Sequence, residues 1–172
     1  MRWFRKHHLT GREQENLLIM DLGSQDINGS YKEIFDSPRW NYQGLDMAPG
    51  KNVDIVLNDP YSWKEVPDNS VDVLVSGQAL EHIEFFWLTF QEIARVMKPG
   101  GLACIIAPSG GPEHRYPVDC WRFYADGFKA LAKYTHLKVI FVRTQWEKEG
   151  YKDGSDDWAD TFMICQKPQS AT

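Results

Sequence analysis

The sequence has no apolar run approaching the ~20 residues needed to cross a bilayer. No apolar stretch follows its charged opening residues, as one would in a secretory signal. Cysteine is scarce: Cys104, Cys120 and Cys165 are widely spaced and odd in number, with no metal-type pairing. These absences predict a reduced, cytoplasmic chain with no membrane span. Cys104 and Cys165 fall inside apolar runs and read as small core residues, whereas Cys120 falls in a polar loop. An excess of positive charge is missing too. The 19 Lys and Arg against 24 Asp and Glu leave a formal net charge of −5, the wrong sign for a nucleic-acid surface. The one dense basic run, Arg2, Arg5, Lys6, His7 and His8, reads as a solvated tail. Internal repeats and low-complexity tracts are absent as well, which excludes solenoids and flexible linkers.

What the 172 residues do contain suffices for one folded domain, with 42% hydrophobic and 25% charged residues. That domain is expected over residues 17–167, after a polar leader (1–16) and before a short tail (168–172). Leu17 to Leu22 (LLIMDL) is a short apolar run closed by Gly23, as in a strand buried on both faces. Further strands are expected at Tyr42–Asp46, Val53–Leu57, Val71–Val75 and Leu102–Ala107, and a closing antiparallel pair at Leu137–Val142 and Thr161–Cys165. Between them, Ser30–Phe35 predicts a short helix stopped by Ser37-Pro38. Leu80–Met97 predicts a longer one, with Phe86, Phe90, Ile93 and Met97 on one face, ended by Pro99-Gly100-Gly101. Asp126 is expected to cap a third helix running to Tyr134. Strands alternating with helices predict an α/β fold: a Rossmann-like, open, mostly parallel sheet with helices on both faces. One joint is unusual. Only Met47 to Asn52 separate the second and third strands, too few for a helical crossover, so a loop is expected to replace the helix there.

In such a sheet a ligand sits beyond the carboxyl ends of the strands, where strand order reverses. The first strand is followed by DLGSQDINGS, where Gly23 permits a tight turn and Asn28-Gly29 a second one. The second strand ends in Asp46, ~20 residues past the glycine turn, where a carboxylate can grip both hydroxyls of a ribose. The third ends in Asn58-Asp59-Pro60-Tyr61, in which Asp59 is either an adenine contact or an ordinary turn residue. The fourth leads into Ser76-Gly77-Gln78 and then Glu81-His82.

Taken together, the segments IMDLGSQDING, YQGLDM, VDIVLNDP, NSVDVLVSGQALEHI and ARVMKPGGLACIIAPS resemble the class I methyltransferases, specifically the small Rossmann-like members. The resemblance spans residues 17–128. It implies S-adenosyl-L-methionine as cofactor. Gly23, Ser24 and Gly29 would face its methionine part, with Asp21 holding the loop. Asp46 would bind the ribose, Met47 would pack on adenine, Asp59 would contact the adenine amino group, and Ser76 to Gln78 would lie near the methionine moiety. Two departures stand out. Gln25 occupies the middle position of the family's Gly-x-Gly-x-Gly loop, and Pro60 removes a backbone N–H near the adenine position.

The acceptor side is expected in PSGGPEHRYPVDCWRF, residues 108–123. His114 is the first candidate general base, since a neutral imidazole is available near pH 7. Asp119 is a second base or the group that orients His114, and His82 is a third candidate that could equally pack the helix start. Arg115, Tyr116 and Trp121 suit a polar acceptor with a flat or anionic part; Arg122 could do the same or pair with Asp119, and Trp121 and Phe123 could simply pack the next helix. Glu113, His114 and Asp119 have no diagnostic ligand spacing, so no metal is expected. Gln145 to Asp157 is polar and contains glycine, as in a lid or extended loop. The resulting expectation is a methyltransferase acting on a small-molecule or sugar-like acceptor, O-methylation favoured, with no nucleic-acid partner. Two rivals use the same features: a nicotinamide-dependent oxidoreductase, for which G-x-G-x-x-G is missing, and a non-catalytic nucleotide-binding or scaffold domain.

Overall fold

The computed structural model describes residues 1–27, 29–148, 150 and 155–169. Seven strands form one sheet: β1 (Leu17–Leu22), β2 (Trp40–Asp46), β3 (Ile55–Val56), β4 (Val71–Gly77), β5 (Met97–Ala107), β6 (Lys138–Thr144) and β7 (Thr161–Gln166). Their order is β3-β2-β1-β4-β5-β7-β6. The pairs among β1 to β5 are parallel, while β7 runs antiparallel to both β5 and β6. The expected Rossmann-like sheet with a closing antiparallel pair is therefore what forms, and the order reverses between β1 and β4, where a ligand crevice belongs.

Alternate residues along the central strands feed two separate cores, one on each face. Met20, Leu22, Leu74, Ala103 and Ile105 face α2 (Phe86–Val96) and α3 (Ala125–Tyr134), which contribute Phe90, Ile93, Phe128 and Leu131. Leu17, Ile19, Val73, Val75 and Cys104 face the other way. No long helix covers that second face among the described residues. Instead a 3₁₀ turn, Lys32–Phe35, and the leader pack there. The leader is α-helical over α1 (Arg2–Phe4) and π-helical over Arg5–Leu9, and it buries Phe4 and Leu9 completely. Residues 1–9 are thus a structural cover and not a solvated tail. Two apolar side chains at this spacing in a basic run, beside Phe35 and Trp40, suffice to anchor the leader on a sheet face that no long helix covers among the described residues.

Several boundaries differ from those expected. The third strand shrinks to two residues, and residues 47–54 return to it without a helix, fastened by Gly44 N–H donating to Asp54 (2.8 Å) and Asp54 N–H to the Gly44 carbonyl (2.9 Å). The helix expected from Leu80 starts only at Phe86, after a 3₁₀ turn at Leu80–His82. The cause is local. The Glu81 carbonyl, which a helix would offer to Phe85, instead accepts the N–H groups of Cys120 (2.7 Å) and Trp121 (3.3 Å), and Phe85 N–H turns to the Tyr61 hydroxyl. The third helix has Tyr124 at its N-cap with no side-chain cap; Asp126 lies inside the first turn and pairs with Lys129 (2.9 Å). An acid there still complements the helix dipole. Asp72 and Lys98 pair at 2.8 Å at the amino end of the sheet, where Asp72 also accepts Leu18 N–H, a structural role remote from the crevice. Among the described residues no helix is long and apolar enough to cross a membrane.

Candidate active site

The loops that leave β1 and β2 are stitched to each other. Gly23 turns at φ +76°, where a side chain would be strained, and its Cα lies so close to Ala79 that a Cβ would collide with it. Gln25 N–H donates to Asp46 Oδ2 (3.0 Å), and Met47 N–H to Asp46 Oδ1 (2.7 Å). Asn52 donates to the Ser24 carbonyl (3.0 Å), Asp26 N–H to the Lys51 carbonyl (3.0 Å), and Lys51 pairs with Asp26 at 2.6 Å. Gly29 N–H closes on Asp26 Oδ1 (3.0 Å). Asn28, the other half of that turn, lies outside the described residues.

Around this joint, three buried polar atoms have no hydrogen-bond partner among the described residues: Asp21 Oδ1, Ser24 Oγ and Asn52 Oδ1. Asp21 is almost fully buried, and the Tyr42 hydroxyl donates to its other oxygen. Burial pushes its carboxyl up to about 7 against the opposing Tyr42 bond, with the nearby Asp46 charge adding to the rise. Met47 is exposed beside Asp46. Tyr31, unremarked in the sequence, is half-buried with its hydroxyl against Gly77, and desolvation raises its phenol above the ordinary range.

Other expected residues are placed differently. Ser76 is fully buried, and its hydroxyl donates to the Leu22 carbonyl (3.0 Å). Gln78 adopts φ +57°, unusual for a residue with a side chain, and its amide donates to Asp160 (2.8 Å). Asp59 is exposed and accepts Tyr61 N–H (2.8 Å), closing an Asx turn.

The acceptor segment forms a loop closed on itself by Phe123 N–H donating to the Pro108 carbonyl (2.8 Å). It docks on residues 81–84, through the two bonds to Glu81 noted above and through Trp121 Nε1 to the Glu84 carbonyl (3.0 Å). This docking brings His114 to His82, with ring centroids 4.8 Å apart and edge-on. His82 Nδ1–H donates to the Val118 carbonyl (2.5 Å), and burial holds its pKa below the ordinary value. Asp119 accepts His114 N–H (2.8 Å), faces His114 Nδ1 at 3.4 Å, and is gripped by Arg122 at 2.6 Å, which holds its carboxyl well below the usual carboxylate range. Arg122, and not Arg115, is its partner. Arg115 is exposed and pairs with Glu113 at 2.6 Å.

Tyr116 is exposed with its ring 6.2 Å from His82. Trp121 is half exposed against Phe86 (5.1 Å), while Phe123 is buried between Phe86 and Phe128. Phe86, Trp87, Trp121 and Tyr124 border an open apolar groove of about 640 Å³ between α2 and α3. Trp158 comes in from before β7, sets its ring tilted at 56° with its centroid 4.6 Å from that of His114, and lies on Gly111 at φ +88°, where a Cβ would strike the indole. Of the Gln145–Asp157 segment, the described parts are tied together by Gln145 and Gly150 bonding to Asp156; residues 149 and 151–154 lie outside the description.

Sequence reasoning missed Glu81. It is fully buried directly beneath His82 and His114, and burial pushes its carboxyl up to about 8, the Asp160 and Asp119 charges adding to the rise while its own N–H and Arg122 oppose it. The Glu-His pair was visible in the sequence. What it meets, residues 114–121, comes from another strand's loop.

Residues 33–105 match the family described as Methyltransferase domain. Among curated proteins, the chain is similar to an uncharacterized methyltransferase of Mycolicibacterium gilvum, 26% identical over 141 residues that cover 73% of this chain and 52% of that protein. The chain thus spans about half the length of that relative. Among solved structures it is similar to one described as a sarcosine dimethylglycine methyltransferase from Galdieria sulphuraria, with a TM-score of 0.70 at 17% identity over 96% of this chain and 84% of that one. It is also similar to Haemonchus contortus phosphoethanolamine N-methyltransferase 2 in complex with S-adenosyl-L-methionine, with a TM-score of 0.66 at 17% identity over 90% of this chain and 49% of that one.

Proposed function

We propose that the chain, whose residues 33–105 match the methyltransferase domain family and whose sheet has the class I, Rossmann-like order, is an S-adenosylmethionine-dependent methyltransferase acting on a hydroxyl of a small-molecule or sugar-like acceptor. The observation that carries the cofactor assignment is the set of buried, partnerless polar atoms of Asp21, Ser24 and Asn52 gathered at the ends of β1 and β2, beside the Asp46 carboxylate. Buried polar groups left unpaired are costly, and a polar ligand offsets that cost. The residues present fit the cofactor. Asp46 Oδ2 accepts one N–H and keeps a lone pair for a ribose hydroxyl, Met47 offers an apolar surface to adenine, and Asp21 with the Gly23–Gly29 turn borders the methionine part. In this reading Gln78, Ser76 through its backbone, and Asp59 would complete the cofactor's surroundings. The bound cofactor supplies a methyl group made electrophilic by its sulfonium.

The protein's own share is to align an acceptor and remove its proton. Alignment of that kind contributes several kcal/mol. His114, held by Asp119 through its main chain and with ring Nδ1 3.4 Å from that carboxylate, is the general base of this reading, and His82 stands edge-on beside it. A base so placed favours an oxygen acceptor, whose proton must leave as the new bond forms. The exposed rings of Tyr116 and Trp121 offer flat faces for a sugar-like or planar acceptor.

The nicotinamide alternative loses ground because β7 runs antiparallel within the sheet, whereas the dinucleotide fold continues in parallel, and because the glycine fingerprint is missing. Titration calorimetry with S-adenosylmethionine and S-adenosylhomocysteine tests the cofactor assignment. Saturable binding of both is expected, and folded protein that gives no heat with either overturns it. A homocysteine-release screen of hydroxyl and amine acceptors then tests the preference for oxygen.

A further inference from the structure

The two imidazoles and the carboxylate at the docking ledge form a donor set of a particular kind. Glu81 is 0% exposed, and among the described residues neither of its oxygens meets a hydrogen-bond donor of proper geometry. Its Oε1 lies 3.6 Å from His82 Nε2 and 4.0 Å from His114 Nε2. One atom from each of the three residues can be chosen so that all lie within 4.8 Å of one another. A tetrahedral ion with ligands at ~2.0–2.1 Å needs neighbouring donors about 3.3 Å apart, so a contraction of well under 1 Å per side chain closes the set.

Both rings are already turned for the task. His82 donates its Nδ1–H to the Val118 carbonyl, which leaves the Nε2 lone pair facing Glu81. His114 has Nδ1 3.4 Å from the Asp119 carboxylate, close but short of a formed hydrogen bond, and Nε2 on the side of Glu81. A carbonyl or carboxylate behind the far nitrogen is the arrangement that fixes tautomer and orientation in metal-binding histidines. Charge points the same way. The fields of Glu81, Asp119 and Asp160 converge here, and Arg122, whose field also reaches Glu81, spends its N–H groups on Asp119 and on the Pro112 and Trp121 carbonyls.

We propose that Glu81, His82 and His114 bind one divalent transition-metal ion of the zinc class, with three protein ligands and an open position on the partly exposed edge of the imidazoles. Two imidazoles and one carboxylate suit zinc or cobalt(II) over magnesium or calcium, which prefer oxygen donors. The ion takes the lone pair that the base reading assigns to His114, so metal and acceptor proton are rival occupants of that nitrogen. The inference thereby goes beyond the proposed function and does not rest on it, and its test is made without cofactor so that the two readings fail separately.

The full chain, stripped with chelator and exchanged into chelator-free buffer, is titrated with cobalt(II) followed by visible absorption, and with zinc(II) by calorimetry. One equivalent with the intense d–d bands of four- or five-coordinate cobalt is expected. Glu81→Gln and His114→Gln are each expected to weaken binding by more than the 10–100-fold that outer-shell changes produce, and Asp119→Asn to fall within about that range. His114 is partly exposed, so its variant keeps the test valid if Glu81→Gln does not fold; circular dichroism checks each. Wild-type protein that binds neither ion, or variants that bind as tightly as wild type, overturn the proposal. S-adenosylmethionine binding by the stripped protein reports on the cofactor assignment alone.

Discussion

The carboxylate of Asp119 accepts the backbone N–H of His114 at 2.8 Å and stands 3.4 Å from Nδ1 of the same residue, so a single acid holds the main chain of the histidine and faces its ring. Arg122 locks the acid from behind. Asp119→Asn keeps the shape but can present an N–H to a ring nitrogen that should itself donate. Once an acceptor is in hand, kcat is expected to fall about 10–100-fold with cofactor affinity unchanged. Steady-state kinetics beside calorimetry measure the two effects. His114→Ala should lose about 10²–10⁴-fold in kcat, again with little change in cofactor binding.

Asp46 accepts three loop N–H groups, those of Gln25, Met47 and Ala48, and is the proposed ribose ligand. Asp46→Ala is expected to weaken S-adenosylmethionine binding about 10–100-fold, in line with hydrogen bonds to a charged group. Asp46→Asn, which keeps one acceptor oxygen, should fall between. Calorimetry checks both, and unchanged affinity in the alanine variant removes Asp46 from the site.

Asp21 makes stability depend on pH. Its carboxyl rises from 3.8 to about 7 on folding, chiefly by burial, with Tyr42 bonded to it and Asp46 and Tyr31 nearby. The folded state therefore holds a proton that the unfolded state releases. The stability this contributes is present below about pH 4 and is lost as pH rises towards 7. Asp21→Asn, whose amide oxygen can still accept from Tyr42, should flatten that slope and raise the unfolding free energy at pH 8, on the order of 4 kcal/mol at most. Urea unfolding of both proteins at pH 5 and pH 8 gives the comparison. Glu81 titrates with the same sign, so some slope remains in the variant.

Phe4 is 1% exposed and packs near Phe35 and His8 at ring distances of 6.4 and 5.6 Å. Phe4→Ala should cost about 3–5 kcal/mol, seen as a lower denaturant midpoint. A change below 1 kcal/mol would mean that the leader is not part of the cooperative fold.

Much of the sheet was legible because its strands are short, apolar and punctuated. Leu17–Leu22 could be read without any knowledge of its neighbours, and the loop in place of a helix after Asp46 followed from arithmetic on chain length. Strand order is another matter, since it depends on pairings between segments far apart. The second face defeated a local reading for the same reason. Phe4 and Leu9 look like stray apolar residues in a basic run until the sheet they cover is known. At the candidate site, His114 and Asp119 were readable as a pair because only four residues of one loop separate them. Glu81 was not. Its helical neighbours suggested an ordinary first turn, and the contacts that make it unusual arrive from a loop beyond the next strand.

Trp158, one of seven tryptophans, lies against Gly111 with its ring 4.6 Å from His114. An indole at that distance responds optically to the charge its neighbour carries, because a cationic imidazole quenches fluorescence more strongly than a neutral one. The protein thereby contains its own probe of events at His114: emission lost in a Trp158→Phe variant isolates the signal, and the same light can follow proton, acceptor or ion as each arrives.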